Sequence, residues 1–223
     1  MIKRILLSLL SGAALVLAFP PFGLGLLAWI AFIPLFLSLE DAGKKRGFLF
    51  GFIFGFAFFL GTVFWVVHSM YFYGGVPFVT GVLVMLALVA YLSVFPALFG
   101  LLFSTAAGVS PLVRIILFPS IWVSLEYLRG YLFTGFPWVL LGYSQVKYLP
   151  IIQIADITGI WGVSFIVMLV NTALYLNVKP LLKNERALPL KGTLFALLML
   201  SSVFGYGYLR VKQVDSEVFR WSG

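Results

Sequence analysis

The residues best suited to chemistry are gathered between residues 124 and 145, in the stretch SLEYLRGYLFTGFPWVLLGYSQ. Glu126 and Arg129 are three positions apart, so they share one face at the outer end of a predicted helix. One interpretation is an interfacial ion pair that lowers the cost of both charges. The other is a pair that orients a lipid headgroup or a docking domain, because a charge in a membrane segment is a candidate functional site by default.

Aromatic and polar side chains follow this pair within a few residues. Trp138 and Tyr143 fit an ordinary interfacial belt, because Trp and Tyr concentrate where a membrane meets water. Such a belt does not account for the neighbouring glycines, which allow close backbone approach, or for hydroxyl and amide donors such as that of Gln145. We therefore expect Glu126, Arg129, Trp138, Tyr143 and Gln145 to form the rim of a lipid-binding or domain-docking site.

Covalent and metal chemistry have few candidates in this sequence. No cysteine occurs among the 223 residues, so they offer no thiolate nucleophile, disulfide or thiolate metal site. The single histidine, His68, argues against a histidine-based metal site. No glycine-rich phosphate loop and no Ser-His-Asp order is found. We predict no catalytic residue, no metal and no cofactor in this chain.

Composition indicates the elements that must position these residues. The chain is 62% hydrophobic and 10% charged, whereas a soluble domain is about half apolar and about a quarter charged. Its apolar runs are about 15 to 28 residues long, as in a polytopic α-helical membrane protein, and they lack the alternation of a membrane barrel. The net charge of +8 comes from short basic clusters between these runs, which fits orientation signals rather than nucleic-acid binding.

These runs predict an all-α transmembrane bundle of about seven helices in one domain, residues 1–209, followed by an extracytoplasmic tail, residues 210–223. Pro96 and Pro119 fall within two of the helices and should kink them. The helices are predicted near residues 5–19, 24–39, 48–67, 77–104, 110–128, 157–178 and 192–209.

Two patterns within the bundle predict contacts between helices. Gly47, Gly51 and Gly55 are spaced by four residues, and such a stripe is typical of close helix packing. Asn171 lies in the middle of the sixth predicted helix, where an interhelical hydrogen bond is its simplest role.

The distribution of Lys and Arg predicts that the N-terminus is cytoplasmic. Ten of them then fall in cytoplasmic segments and five in extracytoplasmic ones. Seven helices place the C-terminus in the periplasm, on the same side as the loop at residues 130–156. The cytoplasmic set is Lys3, Arg4, Lys44, Lys45, Arg46, Arg114, Lys179, Lys183, Arg186 and Lys191, and the other is Arg129, Lys147, Arg210, Lys212 and Arg220.

Several motifs occur together and in order along almost the whole chain. They are FPPFG at residues 19–23, GFLFGF at 47–52, LEYLRG at 125–130, FTGFPW at 133–138, LGYSQ at 141–145 and PIIQIA at 150–155. Their combination resembles the membrane half of the apolipoprotein N-acyltransferase family.

The resemblance implies a multi-pass protein of the bacterial cytoplasmic (inner) membrane that acts late in lipoprotein maturation. Members of this family transfer an acyl chain from a phospholipid donor to the N-terminal amino group of a diacylglyceryl-cysteine apolipoprotein acceptor. Their chemistry belongs to an extracytoplasmic nitrilase-like domain, with a Cys nucleophile, a Glu base and an oxyanion-stabilising Lys.

The sequence departs from that pattern because it ends where the nitrilase-like domain is expected, and because it contains no cysteine. We expect the chain alone to be inactive and to serve as the scaffold and lipid-access half. It could be a truncated sequence, one half of a split enzyme with a separate nitrilase-like catalytic chain, or a stand-alone protein. The alternative function is that of a non-catalytic integral membrane protein, such as a small transporter or an assembly factor.

Overall fold

Residues 1–106, 108–182 and 190–221 are described by a computed structural model. Every regular element in these ranges is a helix, so the predicted all-α fold is confirmed. Short 3-10 turns occur at Gly25–Trp29, Leu132–Thr134 and Leu141–Gln145. The α-helices are α1 (Ile2–Leu17), α2 (Ile33–Leu39), α3 (Lys44–Thr62), α4 (Trp65–Phe72), α5 (Phe78–Thr105), α6 (Pro111–Tyr131), α7 (Leu149–Ile152), α8 (Ala155–Leu182) and α9 (Leu190–Trp221).

Five segments in these ranges are long and apolar enough to cross a membrane, so the chain is a multi-pass membrane protein. They lie on α3, α5, α6, α8 and α9. The first helix, α1, has 16 residues and rises about 24 Å, which is less than the roughly 30 Å hydrocarbon core. The five segments are Lys44–Thr62, Phe78–Thr105, Pro111–Thr134, Ala155–Leu182 and Leu190–Val214.

The second predicted helix, at residues 24–39, is not continuous. It is divided into the 3-10 turn Gly25–Trp29 and the short helix α2, with Pro34 in the first turn of α2. Proline fits a first turn because it has no N–H to bond to a preceding carbonyl. Asn171 of α8 bridges the break, because its Oδ1 accepts from the Phe32 N–H (3.0 Å) and its Nδ2 donates to the Ala28 carbonyl (2.8 Å).

Two further boundaries differ from the sequence prediction. The helix predicted at residues 48–67 is interrupted after Thr62, and α4 begins separately at Trp65. The predicted tail at 210–223 is helical through Trp221, because α9 continues without a break. Hydropathy falls at Arg210 and Lys212, but both residues have good helix propensity, so the helix persists where the apolar run stops.

Helices α3 and α5 share the most extensive helix contact in the described part of the chain, and it is made at close range along the glycine stripe, as the spacing predicts. A Cβ atom on Gly51 would collide with the Pro96 carbonyl, and one on Gly47 would collide with the Ser104 hydroxyl. Pro96 lies inside α5 at this contact. The core beside it is aromatic, and Phe103 and Phe118 stack with ring centroids 4.3 Å apart.

The bundle has two chemically distinct ends. At the basic end, the start of α3 packs on the end of α5, and Lys179 of α8 pairs with Glu40 at 2.8 Å. The start of α9 also packs there, with Gly192 against Ile115 of α6. The opposite end, which we call the loop end, carries residues 132–154. Lys183 and Arg186 lie outside the described residues, and the orientation of the two ends in the membrane remains a prediction.

Candidate functional site

The connection between α6 and α8 at the loop end, residues 132–148, has an unusual backbone. Phe133, Thr134 and Val139 all have positive φ angles, of 50°, 77° and 59°. Bulky residues seldom adopt this region, so surrounding contacts must hold it in place. Gly135 also has a positive φ, and a Cβ atom there would collide with the Gly130 carbonyl. We call residues 132–148 the anchored loop, because the contacts described next fix its path.

Glu126 fixes the second half of the anchored loop from inside the bundle. Its side chain is 4% exposed, and its Oε1 accepts a hydrogen bond from the Leu141 N–H at 2.7 Å. The Ser164 hydroxyl lies beside the carboxylate and accepts from the Gly142 N–H at 2.8 Å. Glu126 and Ser164 thus bind two consecutive amide groups of the loop and attach it to both α6 and α8.

Arg129 fixes the middle of the same loop. Its side chain is 3% exposed, and Nη1 donates to the Trp138 carbonyl at 2.9 Å while Nη2 donates to the Val139 carbonyl at 3.4 Å. The guanidinium also lies over the ring of Phe59 in α3, with Cζ 5.1 Å from the centroid, a favourable cation–π geometry. In the described part of the chain, Glu126 and Arg129 form no direct salt bridge, so each charge binds loop backbone instead.

Gln145 joins the end of the anchored loop to the broken N-terminal segment. It is fully buried, and its Oε1 accepts from the Trp29 indole N–H at 2.8 Å. Its Nε2 donates to the Gly25 carbonyl at 2.9 Å and to the Ser144 hydroxyl at 2.8 Å. A single amide therefore connects two segments that are more than one hundred residues apart in sequence.

Trp138 and Tyr143 occupy a different position from the other three predicted site residues. They are 53% and 44% exposed, whereas Glu126, Arg129 and Gln145 are buried. Trp138 rests on Trp65 of α4 and on Phe136, with centroid distances of 6.3 Å and 5.2 Å. Glu126 and Arg129 thus lie on α6 and hold the loop from inside, whereas Trp138, Tyr143 and Gln145 belong to the loop itself. Of these three, Gln145 is directed inward, and Trp138 and Tyr143 lie at the surface.

The space beside the buried charges is too small for a substrate. The crevice next to Glu126 and Arg129 has a volume of about 10 Å³, close to the minimum that holds one water molecule. Trp122 and Leu125 line it together with phenylalanines of α3 and α5. No cluster of three or more His, Cys, Asp or Glu side chains within the described residues could hold a metal ion. The arrangement is chemically suited to holding a loop in shape.

Sequence reasoning did not identify three partners that complete this site. Trp29 and Ser164 lie in other segments and bind the loop residues Gln145 and Gly142 only after the chain folds. Phe59 of α3 lies under the Arg129 guanidinium that holds the loop. The FPPFG motif at residues 19–23 precedes Trp29 in the sequence, but a motif does not reveal which distant amide the Trp29 indole will bind.

The comparisons with known proteins agree on one family. The sequence profile described as "Apolipoprotein N-acyltransferase N-terminal domain" matches residues 11–173, a range that contains all five predicted site residues. Proteins named apolipoprotein N-acyltransferase are similar over most of this chain. That of Geobacter metallireducens is 40% identical over 209 residues, which is 92% of this chain and 40% of that protein. Those of Methylococcus capsulatus and Photobacterium profundum are 41% and 36% identical, covering 74% and 80% of this chain. The chain spans 40%, 32% and 36% of the lengths of these three relatives.

Proposed function

This chain belongs to the apolipoprotein N-acyltransferase N-terminal domain family, and from that premise we propose that it forms the membrane-embedded scaffold of such an acyltransferase. The family resemblance seen in the sequence motifs is thereby confirmed, and the chain is a multi-pass bacterial membrane protein. We place it in the cytoplasmic (inner) membrane, where the substrates of the proposed reaction would reach it.

The proposed reaction moves an acyl chain from a phospholipid donor to the N-terminal amino group of an apolipoprotein whose first cysteine carries diacylglycerol. A thiolate would attack the ester carbonyl to form a thioester, releasing a lysophospholipid, and the amine would then displace the thiolate to form an amide. The 223 residues contain no cysteine, so the nucleophile must come from outside them. We propose a nitrilase-like domain as its source, either as further sequence or as a separate catalytic chain.

The anchored loop supports a role in positioning. Glu126 and Arg129 bind its backbone, and Gln145 ties it to the 3-10 turn Gly25–Trp29. It exposes Trp138 and Tyr143 at the loop end. We propose that this exposed face is the rim on which the catalytic domain or a lipid headgroup docks. Holding two reactants together contributes much of the rate of such a transfer, so a preformed rim would matter although it carries no reacting atom.

The experiment that tests this function measures acyl transfer from labelled phospholipid to a lipopeptide acceptor. We expect no product from the 223-residue chain alone and restored product when the nitrilase-like part is supplied. Trp138→Ala should reduce the restored activity without loss of folded protein. The matched control is Tyr73→Ala, which removes an exposed aromatic residue at the end of α4. Product from the chain alone contradicts the scaffold role, and equal activities of the two variants contradict the rim.

The alternative to the scaffold role is that of a non-catalytic small transporter or assembly factor. The broken segment Gly25–Leu39 is the observation that favours this alternative. Discontinuous helices are a common element of transporter sites. However, Asn171 at this break already accepts from the Phe32 N–H and donates to the Ala28 and Val167 carbonyls. Its amide hydrogens are therefore both used within the protein. Saturable solute flux in liposomes would favour transport over the proposed scaffold.

A further inference from the structure

An apolar groove of about 880 Å³ lies at the loop end, between the 3-10 turn Gly25–Trp29, residues 145–151 and α9. This volume is within the roughly 300–1,000 Å³ of typical small-molecule sites. Its walls include Leu26, Trp29, Ile151 and Phe204. It is separate from the narrow crevice beside Glu126, with which it shares no lining residue.

Hydrogen bonds and close packing attach both walls of the groove to the rest of the bundle. On one side, Trp29 is bound to Gln145 through its indole N–H. On the other side, α9 is seated against α7, and a Cβ atom on Gly207 would collide with the Pro150 carbonyl. Asp156 of α8 accepts from the Tyr206 hydroxyl (2.7 Å) and pairs with Arg210 (3.2 Å). The groove is therefore bounded by bonded elements on each side.

Lys147 is the one charged residue among the described lining residues of the groove. Its side chain is exposed and forms no salt bridge with any described residue. Its ammonium group lies against the turn at Gly23, where φ is +65° and a Cβ atom would collide with the lysine Nζ. A glycine at this turn thus leaves room for the cation at the edge of the groove.

We propose that this groove holds a phospholipid, with one acyl chain along the apolar walls and its phosphate on Lys147. The groove belongs to a helical bundle that spans a bilayer, so acyl chains are the apolar material that surrounds it. Basic side chains at a membrane surface attract anionic lipid groups, and a long lysine stem reaches the interface readily. The inference concerns lipid retention and does not depend on the proposed acyl transfer.

Filling the groove tests where the lipid lies. Gly205 lines the groove, and a Cβ atom there meets nothing within 4 Å, so Gly205→Phe adds a ring to the open space. The matched control is Ser202→Phe, because Ser202 is exposed on the same helix and does not line the groove. The 223-residue chain, purified in mild detergent, is mixed with phosphatidylglycerol. The number of lipid molecules retained per protein is then measured by native mass spectrometry. We expect Gly205→Phe to lose the lipid that wild type and Ser202→Phe retain.

Reversing the charge tests the phosphate contact. Lys147→Glu should lower phosphatidylglycerol retention by at least about five-fold, because the loss of one basic residue at a membrane surface accounts for that factor and the new negative charge adds repulsion. Lys147→Arg should preserve retention. Lys212→Glu makes the same change in net charge on α9 outside the groove and should leave retention unchanged. The neutral probe is diacylglycerol with identical acyl chains, which should bind more weakly than phosphatidylglycerol and should not respond to Lys147→Glu.

Three results would overturn the proposal. Equal lipid retention by Gly205→Phe and Ser202→Phe would exclude the groove as the binding site. Equal retention by Lys147→Glu and Lys212→Glu would exclude a phosphate contact at Lys147. Equal binding of diacylglycerol and phosphatidylglycerol to the wild type would show that the groove takes up acyl chains without recognising a headgroup.

Discussion

Glu126 and Arg129 show how an acidic and a basic side chain can be buried in an apolar bundle without a direct salt bridge between them. Glu126 accepts from the Leu141 N–H, and Arg129 donates to the Trp138 and Val139 carbonyls. Burial of a charge is costly unless hydrogen bonds replace its hydration. These bonds run to the backbone of a loop with three positive φ angles at non-glycine residues, so the charges also determine the shape of that loop.

Arg129→Ala is predicted to destabilise the fold by about 3 kcal/mol, because it leaves two loop carbonyls without their donor and removes the nearest cation from the buried Glu126 carboxylate. Unfolding in detergent, followed by tryptophan fluorescence, measures the loss. The control is Arg210→Ala, which breaks a salt bridge of a 40% exposed side chain and should cost less than about 1 kcal/mol. Equal losses for the two variants would contradict the anchoring role of Arg129.

At the scale of elements, the contact between α3 and α5 depends on the absence of side chains. Gly51 faces the Pro96 carbonyl, and a methyl group would force the two helices apart. Gly205, which lies in open space on α9, has no such constraint.

The same substitution at these two glycines is predicted to have opposite effects. Gly51→Ala should destabilise the protein by about 1 to 3 kcal/mol through overpacking. Gly205→Ala should stabilise it by up to about 1 kcal/mol, because alanine favours a helix more than glycine does. Paired unfolding measurements in one detergent provide the comparison. A stabilising Gly51→Ala would show that α3 and α5 are not in backbone contact.

Asn171→Leu is predicted to cost about 1 to 3 kcal/mol, because it leaves the Phe32 N–H and the Ala28 carbonyl buried without their partner. The neighbouring control is Thr172→Val, which removes only a bond from a hydroxyl to the Met168 carbonyl of its own helix. Protease protection of the segment Gly25–Leu39 is a second measurement. Loss of protection in Asn171→Leu alone would support its role at the break, and equal behaviour of the two variants would contradict it.

The sequence predicted the long elements well because a run of apolar residues is a local property. The all-α fold and the contact of the glycine stripe follow from composition and spacing. At the break in residues 24–39, the Phe32 N–H is bound by Asn171, which lies far along the chain. Hydropathy, which is calculated from neighbouring residues, cannot predict such a long-range hydrogen bond. Likewise, spacing places Glu126 and Arg129 on one helix face, but it cannot show that a loop folds back to bind them.

At the scale of the whole molecule, the basic end is predicted to face the cytoplasm. Lys and Arg near membrane segments favour that side. Because the 223 residues lack cysteine, Lys45→Cys at the start of α3 and Lys212→Cys on α9 each introduce one reactive thiol into them. A membrane-impermeant maleimide should label Lys212→Cys in intact spheroplasts and Lys45→Cys only after lysis. The reverse pattern would mean that the N-terminus is outside.

The break between Gly25–Trp29 and α2 bears on the order of biogenesis. Its Phe32 N–H and Ala28 carbonyl are bonded by an amide that the ribosome adds 139 and 143 residues later. Unsatisfied backbone groups are costly in lipid. We therefore expect this segment not to adopt its final structure in the membrane before Asn171 has been synthesised. The segment Gly25–Leu39 therefore gains these two hydrogen bonds only after α8 has been synthesised, and until then we expect it to be accessible to chaperones and quality-control proteases.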